Sequence, residues 1–294
     1  MTVRQHSWRQ ARVVALFVGP SLLGLVLFTL GPLLASLGIS LTSWDLLTPP
    51  QFVGLSNFAE LLGSADIRDA LLHTLIYIAI YLPVVLVLGL LLAILLNRPL
   101  RGLQFYRTAF FMPVVSSWVA VSLMWKWLLN PAFGLVNYLL GLVHLPQPGW
   151  WADPHWALPA VIIASIWKDL GFVMVLLLAG LQNIGRQYYE AARVDGAGAW
   201  SRFLHITIPL LSPSIFFVVV ISLINSFQVF DQVWVMTGGG PGGASSVLVE
   251  QIVQNAFSYS RMGYASALSW LLFAIIFGIT ALQFSMQKRW VTYD

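Results

Sequence analysis

The chain has no cysteine and few charged residues. None of its 294 residues is a cysteine, which excludes disulfides, thiolate metal sites and cysteine nucleophiles. Only 9% of the residues are charged, whereas 59% are hydrophobic and the mean hydropathy is +0.81. A water-soluble domain of this length cannot bury so large an apolar share. The composition therefore predicts an integral membrane protein.

The sequence also lacks a nucleotide-binding loop. Such a loop needs a glycine-rich turn followed by Gly-Lys-Ser or Gly-Lys-Thr, which hold the phosphates. The three lysines follow Trp125, Trp167 and Gln287, and no lysine lies near the glycine run from Gly238 to Gly243. We interpret that run as an outer loop with tight turns. The chain is therefore expected to bind no ATP itself.

Catalytic, metal-binding and nucleic-acid-binding patterns are missing as well. His73 and His144 have no second ligand at metal spacing, and no serine, histidine and acid grouping is present. The formal charge of +4 comes from short basic clusters between apolar runs and not from one basic face. We expect no enzyme activity, no metal, no cofactor on this chain and no nucleic-acid partner.

Long uncharged or nearly uncharged runs dominate the rest of the chain. A helix of roughly 20 apolar residues crosses a bilayer, and six runs of at least that length are present. The fold is predicted to be all-α with six transmembrane helices, kinked near Pro83, Pro113 and Pro159. The runs are Val13 to Leu41, Ala70 to Leu96, Thr108 to Leu129, Trp156 to Leu181, Ile206 to Met236 and Gly263 to Gln287.

The distribution of lysine and arginine predicts the orientation, because positive residues are retained in the cytoplasm. With the N-terminus inside, the outer loops hold only Arg68 and Arg261 and carry acidic residues, Glu250 among them. The two termini are then cytoplasmic tails, residues 1–12 and 291–294, around one membrane domain, 13–290. The inside positions are Arg4, Arg9, Arg12, Arg98, Arg101, Arg107, Arg186, Arg193, Arg202, Lys288 and Arg289.

One inside connection, residues 183–205, has an unusual composition. Alanine, glutamate and arginine favour helix up to Asp195, and Gly196 and Gly198 then interrupt it. The pattern predicts a short helix, a turn and a second short helix. Small residues would let another surface approach closely, with Glu190 and Arg193 available for charged contacts. An amphipathic interfacial loop without a partner is the alternative.

This segment resembles the EAA loop of binding-protein-dependent ABC importer permeases. The matching residues are Glu190-Ala191-Ala192, then Asp195-Gly196-Ala197, then Ile208-Pro209 with Pro213. The resemblance implies a type I permease fold, in which the loop is a coupling helix that docks on a cytoplasmic ATPase. The residues implied in coupling are Glu190, Ala191, Ala192, Arg193, Asp195, Gly196 and Ala197.

Further stretches resemble sugar permeases of the maltose and glycerol-phosphate type. They are Phe52 to Phe58, Asn130-Pro131 with Gly134, Thr237 to Pro241, and Tyr264 to Ala267. The resemblance implies a bacterial cell-membrane location, a second homologous permease, two copies of an ATPase that hold ATP and magnesium, and an extracytoplasmic solute-binding protein. Import would then proceed by alternating access.

Polar side chains inside the fifth apolar run are candidates for the substrate path. On one continuous helix, Asn225, Gln228 and Asp231 would share a face. Their side chains are suited to bonding sugar hydroxyls, and Phe227 with Phe230 or Trp234 would offer ring faces. The resemblance points to Gln228 in particular. The alternative is that these groups bond only neighbouring helices or the partner permease.

Lys168 and Asp169 lie in the fourth apolar run and leave another function open. Adjacent helix residues point about 100° apart, so a mutual salt bridge is not expected. An ion pair with the partner permease is the favoured interpretation. A proton-coupled secondary transporter using Asp169, Lys168 and Asp231 is the competing function. Because few cations lie in the path, a neutral sugar or polyol is favoured over a glycerol phosphate.

Overall fold

A computed structural model describes residues 3–99 and 101–291, without the side chains of residues 3–12 and 288–290. The predicted tail residues 1–2 and 292–294 lie outside the described residues. So do the side chains of five predicted inside charges, namely Arg4, Arg9, Arg12, Lys288 and Arg289. The chain forms two compact units: residues 1–63 with 252–271, and residues 64–251 with 272–294.

Helices make up most of the described chain. They are α1 (Val3–Leu25), α2 (Gly31–Ser40), α3 (Ser56–Gly63), α4 (Ala65–Leu96), α5 (Leu103–Val115), α6 (Trp118–Leu128), α7 (Leu135–Leu142), α8 (Ala157–Asn183), α9 (Arg186–Val194), α10 (Ala199–Arg202), α11 (Ile208–Phe227), α12 (Asp231–Met236), α13 (Leu248–Val253) and α14 (Met262–Trp290). π-helical turns occupy Val26–Leu30, Phe203–Thr207 and Gln254–Ser258, and a 3₁₀ turn occupies Trp150–Ala152.

Five stretches of the described chain are long and apolar enough to cross a membrane, and a bent helix pair supplies a sixth. This confirms the predicted helical membrane fold, and the predicted six spans result when the bent pair is taken as one span. The five stretches are Val13–Ser40, Ala65–Leu96, Ala157–Asn183, Ala199–Phe227 and Met262–Gln287. The departure from all-α is one antiparallel ribbon, β1 (Thr42–Ser43) with β2 (Gln51–Phe52).

The third span is not the single helix that the uncharged run predicted. Helices α5 and α6 meet at an angle of 100°. Ser116 and Ser117 join them with extended backbone, at ψ 145° and 138°. Pro113 lies in the last turn of α5 and cannot donate a helical hydrogen bond, and serine readily leaves helical geometry. The bend follows from these residues, and it frees the start of α6 to face a cavity.

Helix α8 is the centre of the second unit, where it packs against α4, α5 and α11. In the most apolar 18-residue stretch of α8, 56% of the residues are buried inside the protein. Gly171 lets α5 approach closely, since a Cβ there would overlap the carbonyl oxygen of Phe110. Backbone contact of this kind is typical of membrane helices that pack through small residues. The packing fixes α8, and with it Lys168 and Asp169.

The first unit is held by polar contacts around its ribbon. Asn57 donates from Nδ2 to the carbonyl oxygens of Ser40 and Thr42, at 2.8 and 2.9 Å. One guanidinium nitrogen of Arg261, Nη2, donates to both carboxylate oxygens of Glu60 at 2.6 Å, and the guanidinium lies 4.3 Å from the ring centre of Tyr264. In the most apolar stretch of the first span, by contrast, no residue is buried inside the protein. The apolar surface of this span is therefore available to lipid or to another chain.

Candidate functional site

A cavity of about 280 Å³ opens in the second unit where α11 ends, and we call it the polar cavity. Helices α4, α6, α8 and α12 supply the rest of its wall. Its volume is close to the lower end of the range of about 300–1,000 Å³ found for small-molecule sites. The residues that line it are Tyr77, Tyr81, Trp118, Asp169, Asn225, Ser226, Gln228, Val229, Phe230, Asp231 and Gln232.

The structure brings Asn225, Gln228 and Asp231 together at the polar cavity, though not by the predicted geometry. A continuous helix through these residues is wrong, because α11 ends at Phe227 and α12 begins at Asp231. Phe230 between them has a φ of −147°, far from helical values. All three polar side chains are exposed. The break, and not a helix face, aims them into one space.

Because of the same helix break, only one of the three predicted aromatic residues lines the polar cavity. Phe227 is only 1% exposed and does not line the cavity, because the last turn of α11 directs it into the packed interior. Phe230 does line the cavity. Trp234 lies behind Phe230, with the ring centres 5.6 Å apart, and is not part of the cavity wall. Phe230 is therefore the predicted aromatic residue that the fold presents to a ligand.

Two tyrosines that the sequence interpretation missed stand on the opposite wall. Tyr77 and Tyr81 lie one helical turn apart on α4, and their rings stack with centres 5.3 Å apart. The Tyr81 hydroxyl donates to Oδ2 of Asp169 at 2.7 Å. The spacing i, i+4 of two polar-tipped rings in an apolar run was the signal that could have found them. Asp169 is thereby held at the cavity wall.

Lys168 does not pair with Asp169 within the described residues, as the helical geometry predicted. Its amino group donates to the carbonyl oxygen of Val114 at 3.1 Å and lies 4.7 Å from the ring centre of Trp118. Both contacts stabilise a cation that is only 5% exposed. Lys168 thus contacts both sides of the bend between α5 and α6. It is not among the described residues that line the polar cavity.

The 183–205 segment has the predicted helix, turn and helix. Helix α9 ends with two bonds from the turn, Gly196 N to Arg193 O at 3.1 Å and Ala197 N to Ala192 O at 2.8 Å. Gly196 adopts a φ of +77°, which completes a Schellman cap. Because an L side chain rarely adopts this conformation, glycine is required here. Helix α10 follows after Gly198.

The surface of the 183–205 segment is both charged and apolar. Glu190, Arg193 and Asp195 are exposed, as are Ala191 and Gly196, while Ala192 and Ala197 are half-buried. Val194 is 88% exposed and Trp200 is 70% exposed. The Tyr189 hydroxyl lies 3.1 Å from Oγ1 of Thr207, which ties α9 to the start of the next span. The contact joins α9 to the π-helical turn that directly precedes α11.

The glycine run Gly238 to Gly243 makes tight turns as predicted, with positive φ at Gly238, Gly239, Gly242 and Gly243.

Glu250, which the sequence analysis assigns to an outer loop, lies on α13 and is only 1% exposed. It accepts hydrogen bonds from Ser246 Oγ at 2.6 Å and Gln251 Nε2 at 3.4 Å. Helix α13 is outside the spans, and burial raises the pKa of Glu250 above its ordinary value.

No metal centre accompanies either region. Among the residues whose placement the structure describes, no group of three or more histidine, aspartate or glutamate side chains is arranged to hold a metal ion. The polar cavity offers hydrogen-bonding groups and an aromatic ring, and the 183–205 segment exposes charged and apolar surface.

Known proteins resemble this chain over almost its whole length. Residues 53–291 match the family described as "Binding-protein-dependent transport system inner membrane component". The "Probable ABC transporter permease protein YesP" of Bacillus subtilis (strain 168) is 38% identical, over 95% of this chain and 91% of that protein. The "Lactose transport system permease protein LacF" of Rhizobium radiobacter is 36% identical, over 92% of each.

Solved structures agree with this at the level of the fold. A chain from the "Crystal structure of bacterial alginate ABC transporter in complex with alginate pentasaccharide-bound periplasmic protein" superposes with a TM-score of 0.86. The match covers 97% of this chain and 96% of that one, at 24% identity. The helical architecture described above is therefore an architecture that membrane transport proteins use.

Proposed function

The chain belongs to the family of binding-protein-dependent transport system inner membrane components, and from this premise we propose that it is the permease subunit of an ATP-driven sugar importer that carries its substrate past the polar cavity. The observation that carries the proposal is the cavity itself. Exposed amide and carboxyl side chains are costly within an apolar helical protein and are retained there for function. The broken helix between α11 and α12 gathers them in one place.

A neutral sugar or polyol suits the chemistry of the polar cavity. Gln228 and Asn225 offer amide donors and acceptors, and Asp231 accepts hydrogen bonds from hydroxyl groups. Phe230 and Trp118 offer ring faces to the apolar side of a sugar. No lysine, arginine or histidine is among the described residues that line the cavity, so a phosphorylated substrate would find no cationic partner. The relative named for lactose transport supports the sugar class.

The 183–205 segment is proposed to dock on the ATPase. Val194 and Trp200 expose apolar surface that an interface would cover, and Glu190 with Arg193 add charged contacts beside it. Coupling is assigned to Glu190 through Ala197 as a unit, because the helix and its capped turn form one rigid element. The contact between Tyr189 and Thr207 is the proposed connection from this element to the spans.

The proposed assembly has a second permease subunit, two copies of a cytoplasmic ATPase that hold ATP and magnesium, and an extracytoplasmic solute-binding protein. Both termini of this chain would be cytoplasmic, in the cell membrane of a bacterium. ATP binding below and the loaded binding protein above would both favour the outward-facing state, since a ligand shifts an equilibrium only through differential affinity. Hydrolysis would then restore the inward-facing state.

Affinity purification of the tagged subunit from native membranes tests the proposal. We expect a second permease and an ATPase to co-purify. We expect Glu190→Lys to lower coupled ATPase activity about 30-fold, because a reversed charge at this interface would cost about 2 kcal/mol. The control is Asp66→Lys, at an exposed carboxylate of α4 that lies outside the 183–205 segment. A homo-oligomer that transports sugar without an ATPase would overturn the proposal in favour of a proton-coupled carrier.

A further inference from the structure

A second cavity, of about 380 Å³, lies beside the 183–205 segment and is lined by three arginines. Arg98, Arg193 and Arg202 contribute to its wall, together with Tyr189 and Thr207. We call it the arginine cavity. It is separate from the polar cavity, with which it shares no lining residue. No aspartate or glutamate is among the described residues that line it.

Of the three arginines that line the cavity, Arg98 and Arg193 are exposed and Arg202 is half-buried. None of them forms a salt bridge with a described carboxylate. The Nε atom of Arg202 is buried and has no hydrogen-bond partner among the described atoms. A buried donor without a partner is destabilising, and more so when it is charged. Three like charges around one space therefore favour occupation by an anion.

The position of the arginine cavity indicates the source of that anion. Arg98 follows the last residue of α4, Leu96, by two positions, and Arg202 lies in the first turns of the apolar stretch Ala199–Phe227. The cavity is therefore bounded by the ends of two spans. The ends of spans lie at the depth of lipid phosphates, and basic pockets between membrane helices bind anionic head groups.

We propose that the arginine cavity binds the phosphate of an anionic phospholipid. The planar guanidinium groups of Arg98 and Arg202 pair with phosphate oxygens, as forked donors do. The hydroxyl groups of Tyr189 and Thr207 lie 3.1 Å apart on the same wall, and because one of them donates to the other, the pair has one O–H left as an additional donor. Because Arg193 belongs to α9, the bound lipid holds the 183–205 segment against the ends of the spans. Anionic lipid thereby supports coupling.

The complex purified with its ATPase tests this in nanodiscs of phosphatidylcholine, with and without phosphatidylglycerol. Native mass spectrometry counts bound phosphatidylglycerol, and an ATPase assay measures stimulation. We expect the doubly substituted R98Q/R202Q to bind phosphatidylglycerol about 30-fold more weakly, at about 1 kcal/mol for each arginine, and to lose the stimulation. The matched control is Arg101→Gln, an exposed arginine on the same connection that does not line the cavity.

Three results would overturn the proposal. Stimulation of R98Q/R202Q equal to that of the unsubstituted complex would show that the arginines do not bind lipid. Loss of the ATPase from R98Q/R202Q during purification would assign the cavity to protein docking. Equal stimulation by inorganic phosphate in nanodiscs of phosphatidylcholine alone would assign it to a soluble anion. The glutamine substitutions remove the charge of Arg98 and Arg202 but keep a polar side chain, and the single variants R98K and R202K retain the charge as a check on folding.

Discussion

The polar cavity and the 183–205 segment lie in the same compact unit but are made in opposite ways. The 183–205 segment is local: one helix, one capped turn and a second helix, all within 23 consecutive positions of the chain. The polar cavity takes its wall from five helices whose residues are up to 155 positions apart, from Tyr77 to Gln232. A local element can move as a body. A site shared among helices changes shape when any of them moves, which is what alternating access requires.

The Tyr81→Phe substitution tests whether the cavity depends on contacts between helices. It removes the donor that holds Asp169 at the cavity wall, and a polar group left unpaired costs about 1–3 kcal/mol. We expect sugar uptake by the reconstituted complex to fall about tenfold. Adding Asp169→Asn should cost little more, since the two groups act as a pair. Tyr106→Phe, at an exposed tyrosine off the cavity, should leave uptake unchanged.

The Gln228→Ala substitution asks whether the break between α11 and α12 presents its side chain to the substrate. Loss of one hydrogen bond of about 1 kcal/mol should lower uptake about fivefold. Co-purification of the ATPase should not change, because the 183–205 segment is untouched. The matched control is Gln147→Ala, an exposed glutamine outside the cavity. Uptake equal to that of the unsubstituted complex would remove Gln228 from the substrate path.

A glycine pair tests the turn of the 183–205 segment. Gly196 has a φ of +77°, whereas Gly198 has a φ of −67°, and neither has a neighbour that a Cβ would meet. Gly196→Ala should cost about 1 kcal/mol of local strain and lower coupled ATPase activity about threefold. Gly198→Ala should change it little. Equal effects of the two substitutions would show that the cap geometry does not matter for coupling.

Glu250 provides the smallest expected effect, and one that depends on pH. Burial raises the pKa of Glu250 in the folded protein, so the stability that this group contributes is present at low pH and is lost as the pH rises through the raised pKa. Glu250→Gln removes the ionisable group. We expect it to raise the unfolding midpoint by about 2 °C at pH 8 and by less at pH 5. The measurement is a thermal unfolding series in detergent over this pH range.

The sequence predicts the helices and turns of this chain well, because helix propensity, glycine positions and apolar runs depend only on neighbouring residues. The helix from Arg186, the turn at Gly196 and the short helix after Gly198 follow from propensity and from glycine, and the structure has all three. The apolar runs likewise give the spans, because burying backbone in lipid permits little besides helix. Their ends are less well predicted, since a run of uncharged residues continues past the point where a helix stops.

The polar cavity could be predicted only in part. The sequence identifies Asn225, Gln228 and Asp231, because polar side chains are rare in apolar runs. It does not predict the helix break that brings them together, since neither Val229 nor Phe230 is a residue that typically ends a helix. Phe227 was misjudged for the same reason. Tyr81 and Asp169, 88 positions apart, meet only through the packing of α4 on α8. Such contacts depend on tertiary structure.

Uptake of labelled sugar by proteoliposomes is the most direct test of the central claim that this chain conducts sugar under the control of an ATPase. The liposomes would contain the purified complex, with ATP enclosed and binding protein outside. We predict accumulation only when ATP and binding protein are both present, and its reduction in Gln228→Ala and Glu190→Lys alike. Accumulation driven by an imposed proton gradient, without ATP, would contradict the account.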